Sequence, residues 1–172
     1  MNQPTEQKSV QNRIIEYAKQ IGWDYASRSE SDAKRGGGES YKNELYYHEL
    51  LTSKLREFNP WLPENYKLPV FAPRIEGNRE MLFFLRGQST AYDETEKRER
   101  NVKVIDFDNL ESNVFEVTDE FTFSNNRFTN RQDLVFLING IPVIDLECKN
   151  LSTKEGIEKA LNQIARYHDE SP

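Results

Sequence analysis

One stretch limits the fold more than any other: Arg131-Gln132-Asp133-Leu134-Val135-Phe136-Leu137-Ile138-Asn139-Gly140-Ile141-Pro142-Val143-Ile144-Asp145-Leu146-Glu147-Cys148-Lys149. Two apolar runs are joined by Asn-Gly, a dipeptide in which both residues tolerate positive φ. That pattern specifies an antiparallel hairpin. Asp133 is expected to open the first strand, with Glu147 and Lys149 near the end of the second. Glu147 and Lys149 are two apart and share a face, while Ile144, Leu146 and Cys148 take the other. The hairpin brings Asp133 back beside Glu147.

Parity sets a condition. A regular two-residue turn at Asn139-Gly140 would pair Asp133 with Leu146, on the wrong face. A three-residue loop or a bulge restores a common face for Asp133 and Glu147. An odd loop or a bulge is therefore expected.

The rest of the chain reads as helices first and strands later. Val10, Ile14, Tyr17, Ala18 and Ile21 recur at helical spacing between Thr5, a candidate N-cap, and Gly22. Trp23 to Ala26 suits a short strand. Ser29 to Ser40 is polar, holds Gly36-Gly37-Gly38 and reads as a loop. It lacks the Gly-Lys-Ser/Thr of a phosphate-binding loop. Lys34 and Arg35 in it are positioned to touch a DNA backbone. Tyr41 to Phe58 reads as a second helix on a Leu45, His48, Leu51, Leu55 stripe, ended by Asn59-Pro60. Past the prolines 63, 69 and 73, Met81 to Arg86, Val102 to Phe107, Val114 to Thr118 and Phe121 to Asn130 are strand candidates. Ala91 to Asn101 is charge-dense, a solvated loop or hairpin. A last helix over Thr153 to Asp169 opens with a Ser152/Glu155 capping box and carries Ile157, Leu161, Ile164 and Ala165 as its apolar stripe.

Length and charge bound the class. The chain has 172 residues and a formal net charge of −6. That length suits one domain with a sizeable core, and an aromatic content of 12% argues against disorder. The negative charge excludes DNA binding by bulk electrostatics, so any DNA contact must come from a local basic patch or other subunits. Cys148 is the single cysteine, which excludes an internal disulfide and fits the cytoplasm. No run approaches the roughly 20 apolar residues of a membrane span. His48 and His168 have no zinc-site spacing and suit helix packing or surface.

The hairpin charges define a chemistry. Glu-x-Lys on a strand also occurs as ordinary solvated surface, but here Asp145, Glu147 and Lys149 interrupt a very apolar segment, where a buried charge is costly. Phosphodiester cleavage needs a cation to polarise phosphate and acidify water. Magnesium takes oxygen ligands, here Asp133, Glu147 and the Cys148 backbone carbonyl, with manganese as its substitute. Lys149 would orient the water and offset transition-state charge. Beside two carboxylates it stays an ammonium ion.

At this segment the sequence resembles the N-terminal nuclease domain of the restriction (motor) subunit of type I restriction–modification enzymes, within the PD-(D/E)xK nuclease superfamily. The resemblance covers most of the chain. It includes Thr5-Glu6, Val104-Ile105-Asp106-Phe107-Asp108-Asn109 with Asn113-Val114-Phe115, the run from Asp133 through Asn139-Gly140-Ile141-Pro142 to Glu147-x-Lys149, and a Gln-x-x-x-Tyr motif at Gln163 and Tyr167. It implies an α/β (α+β) restriction-endonuclease-like core, a mixed central sheet flanked by helices. It also implies a single nuclease domain over 1–172, a fragment of a larger translocase–nuclease subunit that cuts double-stranded DNA away from its recognition site. Gln163 and Tyr167 would support the site and contact DNA. Glu6 would join the metal site or simply stabilise its helix end, and Arg127, Arg131 and Arg166 are candidate phosphate contacts. ATP belongs to the intact subunit, with no ATP site in this chain. The modification and specificity subunits are the implied partners, and the latter reads the DNA target. A repair or methylation-dependent nuclease of the same fold, and a catalytically silent DNA-binding or subunit-docking module, are the rival readings.

Overall fold

The computed structural model describes residues 6–37, 42, 44–68, 74–124, 129–148, 158, 161–162 and 165–166. Helix α1 (Glu6–Gln20) leads into strand β1 (Asp24–Ala26), then helices α2 (Arg28–Lys34), α3 (His48–Phe58) and α4 (Arg74–Leu85). The strand-rich half follows: a hairpin of β2 (Thr90–Asp93) and β3 (Arg98–Asn101), then β4 (Phe115–Ser124), β5 (Thr129–Ile138) and β6 (Ile141–Leu146). The main sheet has the order β1-β4-β5-β6. β1 runs parallel to β4, while β4, β5 and β6 are mutually antiparallel. This is the expected mixed sheet with helices about it.

β5 is one of the two inner strands, and its alternation divides the core. Leu134 and Phe136 pack with Ile15 and Ala18 of α1, Val117 and Cys148. Val135 and Leu137 turn the other way, onto Tyr47 and Phe121. A third cluster joins Leu51 and Leu55 of α3 to Phe84 of α4, Val102, Val104, Ile105 and Ile141. Burial on both faces explains why β5 reads as a continuous apolar run rather than an alternating one.

Several expectations are corrected. The α1 stripe is rotated: Ile15, Ala18 and Gln11 are buried, while Val10, Tyr17 and Ile21 are exposed. The segment read as a loop from Ser29 holds α2, started by a capping box in which Ser27 and Glu30 satisfy each other's backbone amides. Arg35 does not face outward, and Lys34, though exposed, is held in an ion pair. Lys34 pairs with Glu116, and Arg35 is buried, donating to the Thr122 carbonyl at 2.6 Å with its guanidinium 3.9 Å from the Phe121 ring. Helix α3 starts at His48 rather than Tyr41, because Tyr47 is its N-cap.

Met81 to Leu85 is helical, not a strand. Phe84 is buried with Met81 and Leu85 beside it, whereas Leu82 and Phe83 are exposed. Burial at i, i+3 and i+4 is a helical signature that a short apolar run conceals.

Val102 to Phe107 is not a strand either, although Val102, Val104 and Ile105 are buried. Side-chain amides replace the ladder. Asn59 accepts from the Lys103 amide and donates to its carbonyl, Asn139 donates to the Val104 carbonyl, and Asn113 accepts from the Asp106 amide. Buried backbone groups must be paired, and here asparagines pair them.

The candidates at Val114 and Phe121 fuse into the single strand β4, bent at Glu120 by a φ of 50°. Strand β5 starts four residues before Asp133, which therefore lies within it rather than at its start. Of the last helix, residues 158, 161–162 and 165–166 are helical, but Leu161 and Ala165 are exposed.

Candidate active site on the β5–β6 hairpin

The hairpin meets the parity condition through a bulge. Asn139 and Gly140 both have positive φ, 52° and 81°, and form a two-residue turn that pairs Ile138 with Ile141 and Leu137 with Pro142. The next pair is Phe136 with Ile144, so Val143 is the extra residue. Pro142 explains the position: it cannot donate to the ladder and is accommodated at bulges and edges. Beyond the bulge Val135 faces Asp145 and Leu134 faces Leu146. Continued one step further, this register would set Glu147 opposite Asp133.

Asp133 is buried, on the same face of β5 as Val135 and Leu137. Its Oδ2 accepts the Cys148 backbone amide at 2.8 Å. The carboxylate thus replaces a ladder acceptor just past the last paired residue of β6. It fixes the Cys148 backbone, while the Cys148 side chain is buried against the α1 cluster. Glu147 is half-buried.

Asp145 joins the cluster, one repeat before Glu147 on the same face. Desolvation first, and then the charge of Glu147, push its carboxyl up to about 6, with the Asp133 charge adding to the rise. A hydrogen bond from Gln132 Nε2 at 3.0 Å opposes this. The residue as a whole keeps access to solvent, so the desolvation falls on its carboxyl group, with the neighbouring carboxylates adding to the rise. The sequence shows Asp145 as a charge interrupting an apolar strand, but assigns it no role.

The structure joins Asp133 to the Cys148 backbone, and Asp133 and Glu147 both lie close enough to raise the Asp145 carboxyl. Arg131 is exposed on β5, 3.8 Å from Glu120, and Arg166 is exposed on the last helix. Glu6 opens α1, and its side chain lies outside the described residues, as do Lys149, Arg127, Gln163 and Tyr167. Among the described residues, no three acidic, histidine or cysteine side chains converge as a metal site. Two carboxylates suffice for magnesium, which keeps waters and takes phosphate oxygens as further ligands.

The family model described as type I restriction enzyme R protein N terminus matches residues 3–172. The chain belongs to this family. Among curated relatives it is 30% identical over 167 residues to the "Putative type I restriction enzyme MjaIXP endonuclease subunit" of Methanocaldococcus jannaschii, a match covering 89% of this chain and 16% of that protein. It is 34% identical over 74 residues to the type I restriction enzyme EcoprrI endonuclease subunit of Escherichia coli, covering 43% of this chain and 23% of that protein. The chain thus spans less than a quarter of the length of either relative. Among the described residues no helix is long and apolar enough to cross a membrane.

Proposed function

We propose that this R-protein N-terminal chain is the DNA-cutting domain of a type I restriction enzyme, a magnesium-dependent endonuclease acting on double-stranded DNA. The observation that carries the proposal is the Val143 bulge, beyond which the register that pairs Leu134 with Leu146 leads toward Asp133 and Glu147, where Asp133 holds the Cys148 amide. A regular hairpin would have separated these groups, and the extra residue gives the acidic pair one face of the sheet.

The crowded carboxylates fit a divalent cation. Asp133 and Glu147 supply hard oxygen donors, and their charges add to the desolvation that raises the Asp145 carboxyl. Asp133, Glu147 and the Cys148 carbonyl would hold the ion, which when bound polarises phosphate and lowers the pKa of a water. Asp133 fixes the strand end that bears Cys148, so the ligands are preorganised. Lys149 positions the attacking water and offsets charge on the phosphate oxygens. Gln163 and Tyr167, with Arg127, Arg131 and Arg166, serve DNA contact, which the net charge of −6 confines to local groups. The chain forms one domain of a longer cytoplasmic subunit in which ATP-driven translocation and the modification and specificity subunits deliver the DNA.

Lys149→Ala in the intact complex tests the proposal. Cleavage should fall by at least about 100-fold while translocation continues. Undiminished cleavage with translocation intact would overturn it and leave the chain a DNA-binding or subunit-docking module.

A further inference from the structure

A concavity lies near the closed end of the hairpin, away from the acidic pair. Lys34, Tyr47, Glu49, Leu50, Val114 and Glu116 line a pocket of about 300 Å³. Glu116 faces Leu137 near the hairpin turn, four residues along β5 from Asp133, or about 13 Å at the rise of a strand. The pocket is thus separate from the acidic pair and independent of the nuclease proposal.

Its floor holds an incomplete carboxylate. Glu116 is only 5% exposed. One oxygen pairs with Lys34, but Oε2 has no hydrogen-bond partner among the described residues. Tyr47 does not supply the missing donor, because its hydroxyl lies 2.8 Å from Ser31 Oγ and is engaged there. The Lys34 ammonium is held over the Tyr47 ring, 5.5 Å from its centroid. A buried carboxylate oxygen without a donor has lost its hydration uncompensated. Among the described residues the lining is also electronegative, since Glu49 and Glu116 outnumber the ammonium of Lys34. Leu50 and Val114 add apolar wall. The volume is about ten times a water's share of the liquid.

We propose that this pocket is a binding site for an organic cation that donates hydrogen bonds, a guanidinium or alkylammonium head, with the Glu116 carboxylate as its acceptor. The charge balance selects a cation, the vacant lone pairs select a donor, and the apolar walls accept an aliphatic stem. A guanidinium fits best, because its planar fork matches a carboxylate edge. Such a head comes from a free small cation or from an arginine side chain of another polypeptide segment.

NMR titration of the 172-residue chain tests this, with methylguanidinium, ethylammonium, neutral methylurea and a blocked peptide containing one arginine. Both cations should give saturable shifts at the amides of Leu50, Val114 and Glu116, and methylurea none. Glu116→Gln should weaken cation binding at least about tenfold. Lys34→Met should strengthen it by freeing the second oxygen, and it carries the test if Glu116→Gln does not fold. Peptide binding tighter than methylguanidinium assigns the site to a polypeptide, and equal or weaker binding assigns it to a free cation. Absent saturation, equal response to methylurea, or unchanged binding in both variants overturns the proposal.

Discussion

Asp133 Oδ2 and the backbone amide of Cys148 lie 2.8 Å apart, joined by a hydrogen bond across the open end of the β5–β6 hairpin. The bond gives Asp133 a structural duty as well as its proposed chemical one, and the two are separable. Asp133→Asn keeps an oxygen to accept from Cys148 but loses the charge that would hold a cation. Its stability should stay within about 1 kcal/mol of the parent, while cleavage by the intact enzyme disappears. Asp133→Ala should lose cleavage and also cost about 1–3 kcal/mol, because a buried amide loses its acceptor. Urea melts of the chain, paired with cleavage assays of the complex, check this. An active Asp133→Asn enzyme would remove Asp133 from the site.

The Asp145 carboxyl predicts a pH dependence. Its folded pKa is pushed up to about 6, above the roughly 3.9 of an unfolded aspartate. Between those values the folded state binds more protons than the unfolded one, so stability falls as pH rises through this window. The penalty is complete above about pH 6 and absent below about pH 4. Asp145→Asn still accepts from Gln132 and carries no charge. It should melt higher than the parent at neutral pH and at the same temperature in acid, by a small margin because the residue is exposed. Equal melting temperatures at both pH values would show that the carboxylates do not feel one another.

Arg35 is the cation that its sequence neighbourhood misrepresents. Beside three glycines and a lysine it reads as a surface charge for DNA. In the fold it is buried, with Asp32 Oδ1 at 2.5 Å, the Thr122 carbonyl at 2.6 Å and the Phe121 ring beneath it. Lysine cannot reproduce a planar group that stacks and donates in several directions. Arg35→Lys should therefore destabilise the chain by about 1–3 kcal/mol, while leaving DNA affinity of the folded enzyme unchanged. A selective loss of DNA binding without a loss of stability would return Arg35 to the surface role.

What could be read from the sequence follows from the range of the interactions involved. The hairpin was legible because Asn139-Gly140 and the flanking apolar runs are local signals. The need for a bulge was legible because parity is arithmetic. Its place at Val143 was not, since Pro142 marks a weak point without fixing which residue is extra. Ser27 and Glu30 did announce α2 at capping-box spacing, but the neighbouring glycines dominated the reading. Val102 to Ile105 misled for a different reason. Strand residues and buried coil have the same composition, and only Asn59, Asn113 and Asn139, distant in sequence, decide that no ladder forms. That Asp133 and Glu147 need a bulge to share a face was derivable, whereas the rise at Asp145 needed the third dimension.

The Asn139-Gly140 turn supports more than the hairpin, and this gives a prediction about the whole fold. Asn139 is fully buried; its Oδ1 accepts the Val114 amide at 2.8 Å, and its Nδ2 donates to the Val104 carbonyl at 2.9 Å and to Asn113 Oδ1 at 3.0 Å. Asn139→Ala would strand those groups and should cost about 3 kcal/mol or more. Gly140 meets a different limit. Its φ is +81°, and a Cβ there would lie 2.9 Å from both the Cβ and the carbonyl oxygen of Tyr47. Tyr47 cannot simply retreat, because its amide donates to the Gly140 carbonyl at 3.0 Å and it caps α3. Gly140→Ala should cost about 2–4 kcal/mol from backbone strain and overpacking together. Chemical denaturation of each variant measures both values. A double variant that loses much less than the two costs added would show that the two residues hold one shared contact. Gly140→Ala at parental stability would mean that α3 is free to move away from the turn, and that the hairpin is not anchored at its closed end.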